Sequence, residues 1–470
     1  MVFSSYTFIL FFLPIAIAGY FIIGKFCIKL QSVFLILASL FFYGYFNPPY
    51  IAIILGSILF NYIIAKSISK NNKLGWYNLL LGIMFNIMLL GYYKYCDFFI
   101  KNINFICVKS YELLHILLPL GISFFTFQQL SFLISVYKKE ETIDSFVDYT
   151  LFVTFFPQLV AGPIVLYSEM IPQFRDKARR YFNSRNFAIG VSIFIGGLFK
   201  KAVIADSLSL FVDNGFAMDN IGFLASWFTS ISYTLQIYFD FSGYSEMAIG
   251  LAKMFNIDLP KNFSLPYQSS SINVFWRRWH MTLGRALSTY VYFPLGGNRN
   301  GHYRTYCNLF ITFFISGIWH GAAWTFIIWG CLHGLFMILE RYVEFEKANL
   351  PLLIKRIYTF VVVNLLWVLF RADSFESAIR VYSGMVDLRN ISFNQIGGLS
   401  KGLDIGFPNF VLVLYVCLFL LISLVFVLSL EKDLDFDVVP SLNKLFTTLF
   451  MLMVSLICIS RESIFIYFNF

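Results

Sequence analysis

Charge is scarce in this chain. Only 13% of its 470 residues are Asp, Glu, Lys or Arg, against 59% apolar residues. A soluble domain carries about 25% charged residues. So few charges cannot keep a folded surface wet, which excludes a soluble globular fold. The seven cysteines show no CxxC pair and no regular spacing. Cys331, Cys417 and Cys458 sit in apolar runs and read as small packing residues, so neither a disulfide framework nor a metal site is expected. There is no phosphate-binding GxxxxGK loop, no dinucleotide-binding glycine fingerprint after a strand and no HExxH. Those absences speak against an ATP-driven pump, a Rossmann enzyme and an intramembrane zinc protease. Low-complexity linkers and fixed-period repeats are also missing. No inverted repeat is visible, which disfavours several secondary-transporter folds.

What the chain has instead is a series of apolar runs, at 6–23, 32–46, 51–64, 76–92, 308–319 continuing to 338, 358–370, 410–430 and 445–459. They approach or reach the roughly 20 residues of a bilayer crossing. The expectation is an all-α integral membrane protein, a single polytopic domain over 1–470 with about eleven transmembrane helices plus re-entrant segments. The first run contains a small-residue step at Ala16, Ile17 and Ala18. No basic residue precedes it and the apolar stretch continues, so it reads as a retained span rather than a signal peptide. The net charge of +9 sits between spans, which the positive-inside rule explains without nucleic acid. Lys25 and Lys29, then Lys66, Lys70 and Lys73, place the N-terminus outside. Lys138 and Lys139 and the cluster Arg175, Lys177, Arg179, Arg180 and Arg185 also read as cytoplasmic. Both groups cannot be if 146–166 crosses once. Pro157 and the Gly162-Pro163 pair interrupt that stretch, which points to a broken or re-entrant piece shielded by protein or a wet cavity.

The polar chemistry concentrates between about 118 and 340, where the working region is expected. Only five histidines exist. His320 lies in SGIWHGAAW at 316–324, with apolar sequence on both sides and small neighbours that permit close approach. A buried neutral imidazole suits a general base; a packed histidine bonded to a facing helix is the other reading. His280 ends WRRWH at 276–280, where Trp276 and His280 would share a face if the segment is helical. Arg277 and Arg278 beside two tryptophans fit an interfacial or re-entrant piece. They could hold a phosphorylated ligand or meet lipid headgroups. Gln236, Asp240 and Gly243 fall on one helical stripe. Asp240 is flanked by Phe239 and Phe241, and either orients a histidine, lines a cavity or makes a structural hydrogen bond. The PLGISFFTFQ segment at 119–128 reads as the bent start of a span, and 290–299 as a turn.

These blocks, in this order, resemble the membrane-bound O-acyltransferases, and within them the bacterial branch of the alginate O-acetyltransferase membrane subunit. The likeness runs along nearly the whole chain: VFSS at 2–5, 119–128, FPQ at 156–158 with AGP at 161–163, 236–245, FWRRWH at 275–280, PLGGNR at 294–299, 316–324 with Trp329, Gly330, His333 and Gly334, WVLFRA at 367–372, and FIYFNF at 465–470. It departs at Ser288-Thr289, where many relatives carry an Arg-Asp pair. The resemblance implies that His320 matches the essential histidine and His280 the second characteristic position. It also implies a ring of helices around a thin centre, with a tunnel between the two membrane faces.

The chemistry it implies is transfer of an acyl group, acetyl above all, from a cytosolic thioester such as acetyl-CoA. The acceptor is a hydroxyl of an extracytoplasmic polysaccharide or cell-wall polymer such as alginate or peptidoglycan. No bound cofactor or metal is needed. His320 and His280 would be catalytic, Asp240, Trp319, Trp276 and Gln236 supporting or tunnel-lining, and Arg277 and Arg278 donor-binding. Tyr467, in the aromatic tail, either relays the acyl group or anchors at the interface. An extracytoplasmic partner of the SGNH esterase type and the bacterial cytoplasmic (inner) membrane complete the expectation. Two other classes stay open: a transporter or flippase for a lipid-linked sugar, and a non-catalytic scaffold for an acetyltransferase partner.

Overall fold

The computed structural model describes residues 1–70, 74–107, 110–143, 145–402, 408–429 and 441–459. Those residues form helices and connecting turns, with no strand among them. In lipid only a helix or a closed barrel satisfies every backbone group internally, and the Leu-, Ile- and Phe-rich runs have taken the helical solution. Among the described residues five helices are long and apolar enough to cross a membrane: Pro49–Lys70, Gly75–Cys107, Ser184–Ala217, Leu352–Arg371 and Asn409–Leu428. Four shorter apolar helices join them, Phe8–Gly24, Ile28–Gly44, Ile122–Tyr137 and Leu442–Cys458. The chain is a membrane protein. All seven cysteines are free thiols.

The described residues fall into two compact units, one built from 1–197 with 244–261, the other from 198–243 with 262–402, 408–429 and 441–459. In the first, buried amides join the apolar helices. Asn61 and Asn86 bond reciprocally, at 3.3 and 2.6 Å. The Gln129 amide donates to the Ser57 hydroxyl at 3.1 Å, and Tyr149 donates to the Gln129 oxygen at 3.3 Å. Such pairs hold helices together where lipid offers no hydrophobic gradient. The stretch expected to be interrupted is broken: Phe146–Thr154 stops, Phe156–Leu159 makes one turn, and the chain then runs through Gly162-Pro163 fully buried. Gly121, left-handed at φ 69°, starts the Ile122–Tyr137 helix, as the Pro-Gly signal indicates. A Cβ there would meet the Leu159 carbonyl at 2.7 Å, so only glycine fits beneath the broken segment.

In the second unit, the apolar run at 308–338 is divided between two antiparallel helices, Gly301–His320 and Trp324–Tyr342. They cross on glycines. A Cβ on Gly317 or Gly330 would overlap the opposite backbone. Small residues at the crossing let the helices approach closely, and this brings Trp329 up to His320.

Candidate active site

His320 is the last residue of its helix, 3% exposed. Gly321 then runs extended before the chain turns into the next helix. Three aromatic rings enclose the imidazole: Trp319 at 4.9 Å, Trp329 at 5.0 Å and Phe370 at 5.3 Å between centroids. Trp319 also faces His280, at 6.1 Å. The two histidines thus share one indole.

The local structure at His280 differs from the expected helix. Ile272–Arg278 is helical, Met281–Leu287 is a second helix, and His280 between them is left-handed at φ 44°. Trp276 and His280 therefore do not lie one turn apart on a continuous helix. The cause is Asn262. Its carbonyl accepts the Met281 N–H at 2.9 Å, and its side-chain oxygen accepts the Thr282 N–H at 3.2 Å and the Thr282 hydroxyl at 3.0 Å. These bonds satisfy the otherwise orphaned first amides of the second helix and hold the break open. A left-handed non-glycine residue costs about 1–3 kcal/mol and persists only where its surroundings over-determine it. His280 is buried; Phe241 packs on its ring at 4.7 Å and the Asn262 oxygen lies 3.1 Å from Nδ1. The segment is too short to span, and burial lowers the pKa of this imidazole, keeping it neutral.

Helix Ile272–Arg278 is clamped from the Trp324–Tyr342 helix. Glu340 accepts the Ile272 N–H with both oxygens, at 3.0 and 2.9 Å, and Ser271 caps Val274. A carboxylate at a helix N-terminus meets unsatisfied N–H groups and the positive end of the dipole. Two turns earlier on the same helix, His333 accepts the Trp276 indole N–H through Nδ1 at 3.2 Å.

A cavity of about 1200 Å³ opens beside this clamp, lined among others by His280, Trp276, Arg277, Arg285, Ser316 and Arg341. His320, Trp319, Asp240 and Gln236 are not among its lining residues, and neither is Arg278. Arg278 is half-buried and its carbonyl accepts the Ser264 N–H. Asp240 is paired with a cation. It lies 2.5 Å from Lys201, which also meets Asp206 at 2.9 Å. All three are buried or nearly so. Gln236, one turn before Asp240, is buried on the same helix, Phe223–Met254. Tyr467, the 465–470 tail and Lys73 lie outside the described residues.

Asn262, Thr282, Lys201, Glu340 and the bond to His333 were not foreseen as site features. Lys201 carried a usable signal, a lysine in an apolar stretch, because intramembrane charges are costly and need a partner. His333 stood inside a recognised block but without a role. For Asn262 there was no signal, since its function arises only from a contact 18 residues away.

The model of the membrane-bound O-acyltransferase family matches residues 138–372, and the chain belongs to that family. It is a membrane-bound O-acyltransferase. A peptidoglycan O-acetyltransferase of Helicobacter pylori is 45% identical over 426 residues, spanning 83% of this chain and 81% of that protein. A probable alginate O-acetylase, AlgI, of Pseudomonas aeruginosa is 37% identical over 418 residues, spanning 86% and 79%. A more distant relative, a teichoic acid D-alanyltransferase of Bacillus subtilis, is 28% identical over 242 residues, 49% of this chain and 60% of that protein.

Proposed function

We propose that the chain acetylates hydroxyls of an extracytoplasmic polysaccharide or cell-wall polymer, from a cytosolic thioester, acetyl-CoA, and works in the bacterial inner membrane. The observation that carries this reading is the pairing of two buried histidines across the Trp319 ring, one of them bordering a large cavity with arginines on its wall. The relatives named for peptidoglycan and alginate acetylation supply the acceptor class; peptidoglycan is the acceptor favoured by the higher identity.

In this mechanism the thioester enters the cavity, where Arg277, Arg285 and Arg341 meet the phosphates of its nucleotide part through charge-assisted hydrogen bonds. His320 takes the proton of the acceptor hydroxyl as its oxygen attacks the thioester carbonyl. The C–S bond then breaks and the proton passes to the leaving thiolate. A base in this position contributes about a hundredfold to ten-thousandfold. The aromatic shell excludes water that would hydrolyse the thioester. His280 holds the reacting groups in place. Asp240, paired with Lys201, is a structural charge in this scheme. Transfer onward to the polymer uses an extracytoplasmic partner of the SGNH type. Tyr467 is a relay for the acyl group in this scheme.

The test uses membrane vesicles given acetyl-CoA labelled in the acetyl group. Label is expected in base-labile esters for wild type and to be lost in His320→Ala, with Arg277→Ala raising the donor KM about tenfold. Labelled ester that persists in His320→Ala would overturn the assignment of the base.

A further inference from the structure

We infer that Asn262 is a positioning residue that fixes the proton of His280 on Nδ1 and leaves its Nε2 as a hydrogen-bond acceptor for an N–H or O–H of the bound substrate. The inference rests on the reading of His280 as part of the transfer centre.

The Thr282 backbone N–H can only donate, and it points at the Asn262 side chain at 3.2 Å. The amide atom facing it must therefore be the oxygen. The Thr282 hydroxyl, at 3.0 Å, adds a second donor to the same oxygen. Among the described residues the amide nitrogen has no partner, a cost that the contacts to the oxygen offset. With its oxygen so fixed, the Asn262 side chain presents an acceptor to the His280 ring, 3.1 Å from Nδ1. Only a protonated Nδ1 makes that contact favourable. A neutral imidazole carries one N–H, so Nε2 then bears a lone pair.

Nε2 is buried and has no hydrogen-bond partner among the described residues. An unmet acceptor in a buried site costs free energy, and His280 itself is among the residues that line the cavity. Among the described residues the partners of His280 are Asn262, Phe241 and Trp319, none of them charged, so among those residues only Asn262 selects the tautomer. A backbone carbonyl and a side-chain oxygen from one residue thus set both the left-handed turn at His280 and the ring nitrogen that is left open. Two substrate groups could meet Nε2: an amide N–H of the thioester's arm, or a hydroxyl of the acceptor.

The experiment measures acetyl transfer from acetyl-CoA in vesicles of the full-length protein, across pH. Asn262→Ala is expected to lower kcat/KM about tenfold. The loss falls in donor KM if Nε2 meets the thioester arm, and in kcat if it meets the acceptor. Asn262→Asp keeps the oxygen acceptor but adds a charge that favours the imidazolium. Neutral Nε2 is the working form, so the acidic limb of the rate profile should move up by about one pH unit, with lowered activity at neutral pH recovering above it. Histidine ¹⁵N spectra give a second readout: with five histidines in the chain, the His280 signals identify an Nε2 of the unprotonated type in wild type. An active Asn262→Asp whose acidic limb does not move would overturn the inference, as would a protonated Nε2. Full activity in Asn262→Ala while His280→Ala is dead would remove the clamp alone. Full activity in His280→Ala would instead overturn the role of His280, and the clamp with it.

Discussion

At the scale of single residues, the cost of burying a charge separates structural from reactive groups. Lys201 with Asp206 and Asp240 is a compensated cluster. Removing the lysine leaves bare carboxylates in a dry interior, at a cost of about 3–5 kcal/mol, whereas removing one carboxylate leaves Lys201 paired with the other. Lys201→Met leaves Asp206 and Asp240 without their cation and should lower the detergent melting temperature markedly, whereas Asp240→Leu leaves Lys201 paired with Asp206 and should lower it less. Adding Asp240→Leu to Lys201→Met should recover only part of the loss, because Asp206 stays unpaired. Equal or additive losses would show that the charges do not act as a pair. The histidines differ because their neutral form needs no counter-charge. His320 and Asp240 were both visible in the sequence as ionisable groups in apolar runs. What could not be read was that Asp240 finds an opposite charge, because Lys201 lies 39 positions before it and meets it only through folding.

At the scale of elements, two devices hold the working segment. The first is the glycine crossing of Gly301–His320 with Trp324–Tyr342. A Gly330→Val substitution puts side-chain atoms into the facing backbone and should abolish both folding yield and activity; a well-expressed, active variant would contradict the packing account. The second is the clamp on Ile272–Arg278 from Glu340 and His333. Glu340→Ala removes the acceptor for Ile272, worth about 0.5–2 kcal/mol as a helix cap. The expected outcome is a few-degree fall in melting temperature with weakened donor binding, and rescue by Glu340→Gln in stability more than in binding. The sequence showed the apolar runs and the Pro-Gly interruptions plainly, since composition alone forces helices in lipid and Pro157 cannot sit quietly inside one. The break at Trp279 and His280 was illegible. Nothing in WRRWH stops a helix; the stop comes from Asn262, which offers the next helix a ready set of acceptors.

At the scale of the whole molecule, the chain is a membrane-bound O-acyltransferase, and its scarcity of charge and its helical fold have one cause, the bilayer as solvent. The family could be read from ordered blocks, while the roles within those blocks needed geometry. In the proposed mechanism the cavity beside His280, lined by Arg277, Arg285, Arg341 and Lys347 together with Glu340, Glu344 and Glu346, takes the donor, and the aromatic shell around His320 encloses the transfer. Opening the shell should therefore damage chemistry without touching donor capture. Phe370→Ala is expected to lower kcat about tenfold with donor KM little changed, and to raise thioester hydrolysis as water enters. A variant that raises only KM would place Phe370 in the donor site instead.

The most direct measurement is the acetate released by mild base from cell-envelope polymers, compared between wild type and His320→Ala at matched membrane levels. Loss of ester acetate with the protein present at its normal level is the predicted result, and the polymer fraction that loses it is the acceptor. Unchanged ester acetate in His320→Ala would contradict the central claim that this histidine is the catalytic base.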